Sequence, residues 1–242
     1  SHDTHWVADD VNDRIVTAAI ITRTGESVEP RTWLIDPGVE IPASATAVHG
    51  ITTERARAEG RPAPDALEEI ASALARALAA GHPVVAFNAQ FDLTLLEREL
   101  ARHGLRSLRE RVGGAVRPVV DPLVIDRKVD QYRKGKRKLI DLCTLYAVRV
   151  VADDLHAADA DVLATLELVH ALAAAYPTLA ETTLDSLHDL QVSAYHDWAV
   201  RFAAFLKSKG VTDDLPDPRW PLALDAPATG PAAEPSRDTL FG

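Results

Sequence analysis

The first segment with side chains that could do chemistry is Asn88-Ala89-Gln90-Phe91-Asp92, which follows the short apolar run Pro83–Phe87. The apolar run predicts a buried strand, and the residues after it predict a helix. A carboxylate at the carboxyl end of a strand faces the crevice in which open α/β sheets bind their ligands. Asp92 is therefore a candidate ligand for a cation. The alternative is that Asp92 only caps the helix.

The second such segment contains a histidine and an aspartate. Asp161 lies in the first turn of a predicted helix, and His156 lies in the loop that leads to it. A hard cation held by carboxylates, with a nearby imidazole to take a proton from water, suits a hydrolytic reaction. The alternative is a capped helix start beside a solvated histidine, because acidic residues also stabilise helix N-termini.

The third segment is His49-Gly50-Ile51, between the opening strands and the first long helix. Gly50 permits a tight backbone conformation. Ile51 is an apolar side chain in a polar loop, so it could contact a ligand. It could equally be the single buried anchor of a turn.

The elements that must position these segments begin with two runs rich in β-branched residues, Arg14–Thr22 and Arg31–Ile35, which predict an antiparallel hairpin. Apolar residues then recur at spacings of three and four between Asp65 and Gly81, which predicts a helix capped by Asp65 and ended at Gly81. Further helical patterns alternate with short apolar runs as far as Tyr176. This order is typical of a mixed α/β sheet with helices on its faces.

The chain is predicted to have three parts. Residues 1–177 form the main domain, which ends at Tyr176-Pro177, and residues 178–212 form a helical extension with an apolar stripe. Residues 213–242 contain six of the fifteen prolines and no periodicity. We therefore expect this last part to be a mostly disordered tail.

The composition excludes several classes of protein. Apolar residues make up 47% and charged residues 26%, which is ordinary for a globular protein. No apolar run approaches the ~20 residues of a membrane span. The single cysteine, Cys143, forms neither an internal disulfide nor a cysteine-based zinc site. These features argue against a membrane protein, a secreted scaffold or a zinc finger, and we expect a cytoplasmic location.

The charge is unevenly distributed. The formal net charge is −10, yet the segment Arg127–Lys138 has seven basic residues and one acidic residue. This basic segment is the one candidate for contact with a polyanion, and the alternative is a solvated charged face.

Taken together and in this order, the motifs His49-Gly50-Ile51, Asn88-x-x-Phe91-Asp92 and His156-x-x-x-x-Asp161 resemble those of the DEDDh 3′–5′ exonuclease family. That family includes the proofreading epsilon subunit of bacterial DNA polymerase III, ribonuclease T and oligoribonuclease. The resemblance runs from about Arg14 to Ala175. The stretch 121–143, with the Ala- and Arg-rich composition around it, looks more like actinobacterial epsilon-like exonucleases than like the ribonucleases.

The resemblance implies a ribonuclease-H-like fold and hydrolysis of a terminal phosphodiester with two Mg²⁺ or Mn²⁺ ions. It implies that Asp92 and Asp161 are metal ligands and that His156 is the general base. An imidazole suits that role because its ordinary pKa is near 6.5.

The same resemblance implies contacts with the 3′-terminal nucleotide. The residues concerned are His49, Gly50, Ile51, Asn88 and Phe91. The expected substrate is the 3′ end of single-stranded or frayed DNA, and no membrane partner is expected. RNA stays open as a substrate, because no residue identifies a reader of the 2′-hydroxyl. The sequence Thr239-Leu240-Phe241 resembles clamp-binding peptides, so a sliding clamp or a polymerase subunit is a candidate partner.

One motif of the family is absent. The family carries Asp-x-Glu on its opening strand, whereas residues 3–13 read DTHWVADDVND. Two interpretations stay open. The protein is a relative that has lost this motif and only binds 3′ ends or a polymerase, or the sequence lacks a stretch around Trp6–Asp9. The complete absence of methionine favours the second interpretation.

Overall fold

The computed structural model describes residues 14–25, 27–149, 157–213 and 215–224. Its elements, in chain order, are β1 (Thr17–Thr24), β2 (Ser27–Asp36), α1 (Ala43–His49), α2 (Thr53–Glu59), β3 (Arg61–Pro62), α3 (Ala63–Ala79), β4 (Val84–Val85), α4 (Ala89–Arg102), α5 (Leu108–Val112), β5 (Val119–Val120), α6 (Pro122–Val129), α7 (Leu139–Leu145), α8 (Ala157–Ala175), α9 (Pro177–Ala180) and α10 (Leu184–Ser208). Within these ranges, every helix is too short or too polar to span a bilayer.

The first two strands form the hairpin that their β-branched residues predict. β1 and β2 are antiparallel and in register from Thr17 opposite Leu34 to Thr24 opposite Ser27. Gly25 at the turn has a φ of 61°, a left-handed conformation that is cheap only for glycine. β3 pairs in parallel with the other edge of β2, so β1 lies at one edge of a three-stranded sheet.

β4 and β5 form a second, parallel pair, with Val84 opposite Val119 and Val85 opposite Val120. The predicted mixed α/β architecture, with helices against the sheet, is confirmed. Among the described residues, however, the strands form two sheets rather than one. Apolar runs predict that a strand exists, but its neighbours depend on packing between segments far apart in the chain.

α3 and α4 cover the sheets through their apolar sides. Leu67 and Ile70 of α3 and Leu93 and Leu96 of α4 belong to the main buried cluster. The predicted cap of α3 was wrong by three residues: the N-cap is Pro62, the helix begins at Ala63, and Asp65 lies in its first turn. Proline in a first turn explains this start, since the first helical N–H groups need no intrahelical partner.

α10 and the segment after it complete the main cluster. Tyr195 of α10 is buried there, together with Trp220 and Leu222. The backbone N–H of Ala223 also donates to Thr94 Oγ1 at 2.9 Å. Residues 215–224 therefore pack on the core, although the sequence placed them in a disordered tail. Two large apolar side chains outweigh the effect of the surrounding prolines.

Candidate functional site

A cavity of about 790 Å³ separates the two sheets. Every residue of 17–25 and of 82–87 contributes to its lining. Because successive side chains of a strand point to opposite faces, this continuous lining means that β1 and β4 turn an edge towards the cavity. α8 and the first turn of α4 close it, and most of its wall is apolar. Asp92 and Asp161 are the carboxylates among its described lining residues. Two segments separated by almost seventy residues are thus brought to one cavity.

Asp121 organises the start of α4. This buried carboxylate follows β5 and accepts hydrogen bonds from the backbone N–H groups of Asn88 at 3.1 Å and Ala89 at 2.9 Å. It also accepts from the N–H of Leu123 at 2.9 Å and so caps α6. Burial raises the pKa of Asp121, while these N–H groups act in the opposite direction. One side chain therefore fixes the starts of two helices.

Asp92 lies one turn into α4, which begins at Ala89, so it is not the helix cap. Its Oδ1 is buried and has no hydrogen-bond partner within the described structure. Burial, and then the neighbouring carboxylate of Asp121, raises the pKa of Asp92 well above its usual value. A buried carboxylate oxygen without a hydrogen-bond partner is unfavourable. A cation bound at Oδ1 would remove that penalty.

Asp161 supplies the second carboxylate from the first turns of α8. It is half-buried, and its backbone carbonyl accepts a hydrogen bond from Thr165 Oγ1 at 2.8 Å. Burial, and then the charge of Asp161, raises the pKa of the Cys143 thiol, so that thiol is no candidate nucleophile.

The donor chemistry of these two side chains fits Mg²⁺ or Mn²⁺, which prefer oxygen ligands. In the described ranges, no group of three or more His, Cys, Asp or Glu side chains is placed to hold a metal ion. Two carboxylates suit one cation, whereas a two-metal centre requires further ligands.

The two candidate histidines are not placed by the structure. His156 lies outside the described residues, and the position of the His49 side chain is not described, although its backbone ends α1. Their roles as general base and nucleotide contact remain predictions.

The structure distinguishes between the two interpretations of the segment around Gly50, a ligand contact and a turn with a buried anchor. Gly50 has a φ of 73° and caps α1 in the left-handed conformation. Ile51 is only 7% exposed and belongs to a small cluster with Val16 and Ile41. It is therefore a buried anchor in this structure, and a contact with a nucleotide base would require it to move.

Asn88 and Phe91 flank Asp92 in different environments. Asn88 precedes α4 with a φ of 64°, a conformation that asparagine tolerates better than most residues. Phe91 packs partly buried against the main cluster. Between them, Gln90 accepts a hydrogen bond from the Tyr195 hydroxyl at 2.7 Å and thereby links α4 to α10.

Two arginines of the basic segment share the buried carboxylate of Asp126. Asp126 is fully buried and forms ion pairs with Arg133, at 2.9 Å, and with Arg137. It also accepts a hydrogen bond from the Tyr146 hydroxyl at 2.9 Å. Arg133 and Arg137 therefore share one buried acidic partner.

The sequence did not identify Asp121 and Asp126 as important. Asp121 directly follows an apolar run, the same signal that identified Asp92, and could have been found in that way. Asp126 lies among apolar and basic residues, and only burial reveals its role.

Comparison with known proteins gives a match to a family model and matches to solved structures. The family model described as Exonuclease, of the RNase T type, matches residues 5–169. The fold resembles that of Exonuclease X, solved in complex with 5′ overhanging duplex DNA. That likeness has a TM-score of 0.49 and 18% identity, and covers 73% of this chain and 90% of the other. A search of curated proteins gives no match.

Proposed function

This chain belongs to the exonuclease family, and from that premise we propose that it is a metal-dependent 3′–5′ exonuclease of the DEDDh type. Its proposed substrate is the 3′ end of single-stranded or frayed DNA, and its proposed setting is proofreading or repair in the cytoplasm. A role like that of an epsilon subunit, with a polymerase or a clamp as partner, is part of the same proposal.

The observation that carries the proposal is the buried Oδ1 of Asp92, which has no hydrogen-bond partner among the described residues and lies on a cavity shared with Asp161. A carboxylate left in this state reduces stability unless it serves a ligand. The fold holds it in place through Asp121, which accepts the N–H groups at the start of α4. Positions that a fold maintains at an energetic cost are commonly functional sites.

In this proposal Asp92 and Asp161 hold a divalent cation through their carboxylate oxygens. When bound, such a cation stabilises negative charge on the oxygens of the scissile phosphodiester. His156 accepts the proton of the attacking water on a ring nitrogen. The mostly apolar wall of the cavity lowers the local dielectric constant and so strengthens these electrostatic interactions.

One observation favours a second candidate function. The described residues offer two carboxylates at the cavity and no cluster of three metal-binding side chains. A chain without the Asp-x-Glu motif would then bind a 3′ end without hydrolysing it. RNA in place of DNA is a variant of the leading proposal.

The test is digestion of a 5′-labelled single-stranded DNA oligonucleotide with Mn²⁺ and with chelator, beside an RNA of the same sequence. The variants are Asp92→Asn, Asp161→Asn and His156→Ala. Asp65→Asn is the matched control, because Asp65 also lies in the first turn of a helix but is exposed.

We expect a ladder that shortens from the 3′ end with Mn²⁺, disappears with chelator, and is strongly reduced in the three variants but not in the control. An intact oligonucleotide in every lane, combined with equal binding in Mn²⁺ and chelator, would reject the enzyme and favour the binding module. Faster digestion of RNA than of DNA would reject DNA as the substrate.

A further inference from the structure

A groove of about 580 Å³ lies between the basic segment and α10. Four arginines line it: Arg127, Arg133, Arg137 and Arg201. No acidic side chain belongs to its described lining. We call this surface the arginine groove. Four guanidinium groups on a protein with a net charge of −10 concentrate positive charge at one place.

Two of the arginines are held in position before any ligand arrives. Arg133 and Arg137 share the fully buried carboxylate of Asp126, and their side chains are only 17% and 14% exposed. Arg133 Nε also lies 3.4 Å from Asp130 Oδ2, so Asp126 and Asp130 balance these two guanidinium groups. The surplus positive charge of the groove therefore comes from Arg127 and Arg201. A fixed guanidinium loses less conformational freedom when it binds an anion.

Aromatic side chains line the same groove. Tyr132 is 88% exposed, and Trp198 and Phe202 of α10 are stacked with ring centroids 5.4 Å apart. The guanidinium of Arg127 lies 3.8 Å from the centroid of the Trp198 ring. An exposed tyrosine ring beside stacked rings and cations offers both a flat apolar face and positive charge.

These two properties select one class of ligand. Single-stranded nucleic acid presents phosphates for guanidinium groups and bases for aromatic faces, and proteins that bind it combine a positive groove with aromatic side chains. An acidic peptide would satisfy the charges but would leave the rings without a matching partner. We infer that the arginine groove binds single-stranded nucleic acid.

The groove is connected to the candidate active site through α6. This helix starts at the Asp121 cap, and Arg127 in its last turn interacts electrostatically with Asp121. The eight residues of α6 rise about 1.5 Å each, so the helix is ~12 Å long. That length corresponds to three to four nucleotides of a stacked strand, which are ~3.4 Å apart. The inference rests on the proposed function only for direction: the groove holds nucleotides upstream of the 3′ terminus.

The test measures binding without cleavage. Fluorescence anisotropy follows a 5′-labelled single-stranded oligonucleotide in chelator, over a series of salt concentrations. The variants are Arg201→Gln and Tyr132→Ala. The matched controls are Arg98→Gln, at an exposed arginine of α4, and Tyr132→Phe, which keeps the ring.

We expect Arg201→Gln to weaken binding and to reduce the slope of log K against log salt by about 0.7, while Arg98→Gln leaves both unchanged. We expect Tyr132→Ala to weaken binding about fivefold or more, while Tyr132→Phe binds like the wild type. An oligonucleotide with abasic sites should lose the effect of Tyr132→Ala. Thermal melts establish that each variant is folded.

Equal affinities for Arg201→Gln and Arg98→Gln would overturn the inference, as would competition by polyglutamate at the same charge concentration as the oligonucleotide. Binding that depends on the groove in a protein that never cleaves would reject the proposed function and leave the groove standing. Cleavage by a protein whose groove variants bind normally would reject the groove alone.

Discussion

Replacing Gln191 with leucine tests how α10 supports the candidate active site. Gln191 is fully buried, and its Oε1 accepts a hydrogen bond from the backbone N–H of Asp121 at 2.7 Å. Its Nε2 donates to the carbonyl oxygens of Val119 and Leu187, each at 3.0 Å. The side-chain amide of Gln191 thus joins α10 to the end of β5. The residue after β5 is Asp121, whose carboxylate positions the start of α4.

The magnitude follows from the groups that Gln191→Leu leaves unpaired. The Leu187 carbonyl keeps its place in the hydrogen-bond ladder of α10, but the N–H of Asp121 and the carbonyl of Val119 lose a buried partner. Each such group costs about 1–3 kcal/mol, so the free energy of unfolding should fall by about 2–6 kcal/mol. That is a large part of the roughly 5–15 kcal/mol of a typical domain.

Urea unfolding followed by circular dichroism measures this loss. Gln131→Leu is the matched control, because Gln131 is exposed and the same substitution there should change stability by less than about 0.5 kcal/mol. Hydrogen exchange at the N–H groups of Asn88 and Ala89 should also become faster in Gln191→Leu. If Gln191→Leu unfolds at the same urea concentration as the control, the reasoning that ties α10 to Asp121 is refuted.

Three further predictions concern other parts of the fold. Burial, and then the charge of Arg117, lowers the pKa of His188 below 6.5. The unfolded chain therefore binds a proton at this histidine more readily than the folded chain, and the free energy of unfolding should fall as the pH drops below about 6.5. His188→Asn keeps an acceptor for the N–H of Val119 and should flatten that dependence in urea titrations; an unchanged slope would contradict it. A Cβ on Gly60 would clash with the Ala56 carbonyl oxygen, so Gly60→Ala should lose about 1–3 kcal/mol of stability, and an unchanged Tm would refute this. Mn²⁺ should raise the Tm of the wild type but not of Asp92→Leu, whose metal-free form should be at least as stable as the wild type; an equal shift in both would exclude Asp92 as a ligand.

Much of the local structure could be predicted from the sequence. The β-branched runs correctly predict the β1–β2 hairpin, because alternation and turn residues act over a few positions. Apolar spacing likewise predicts α3 and α4, and the order of elements predicts a mixed α/β fold. The position of Asp92 after a buried strand identified it as a site candidate, while its role and those of Asp161 and His156 remain predictions.

Other features depend on contacts between distant segments. Local pattern predicted neither the shared cavity of Asp92 and Asp161 nor the packing of Trp220, and it left open whether Ile51 is a buried anchor or a ligand contact. Each depends on which surfaces meet when the chain closes, and a side chain's own neighbours in sequence carry no information about that.

The two sheets and the carboxylate of Asp121 show which features follow from local sequence and which follow from tertiary contacts. Sequence by itself determined the elements, their order and the residues able to do chemistry, because propensity and periodicity are local properties. Tertiary structure alone decided that Asp121 would hold the start of α4 from 33 residues away and that Oδ1 of Asp92 would find no hydrogen-bond partner among the described residues. Burial and pairing energies belong to the folded arrangement, since only there is water excluded from both groups at once.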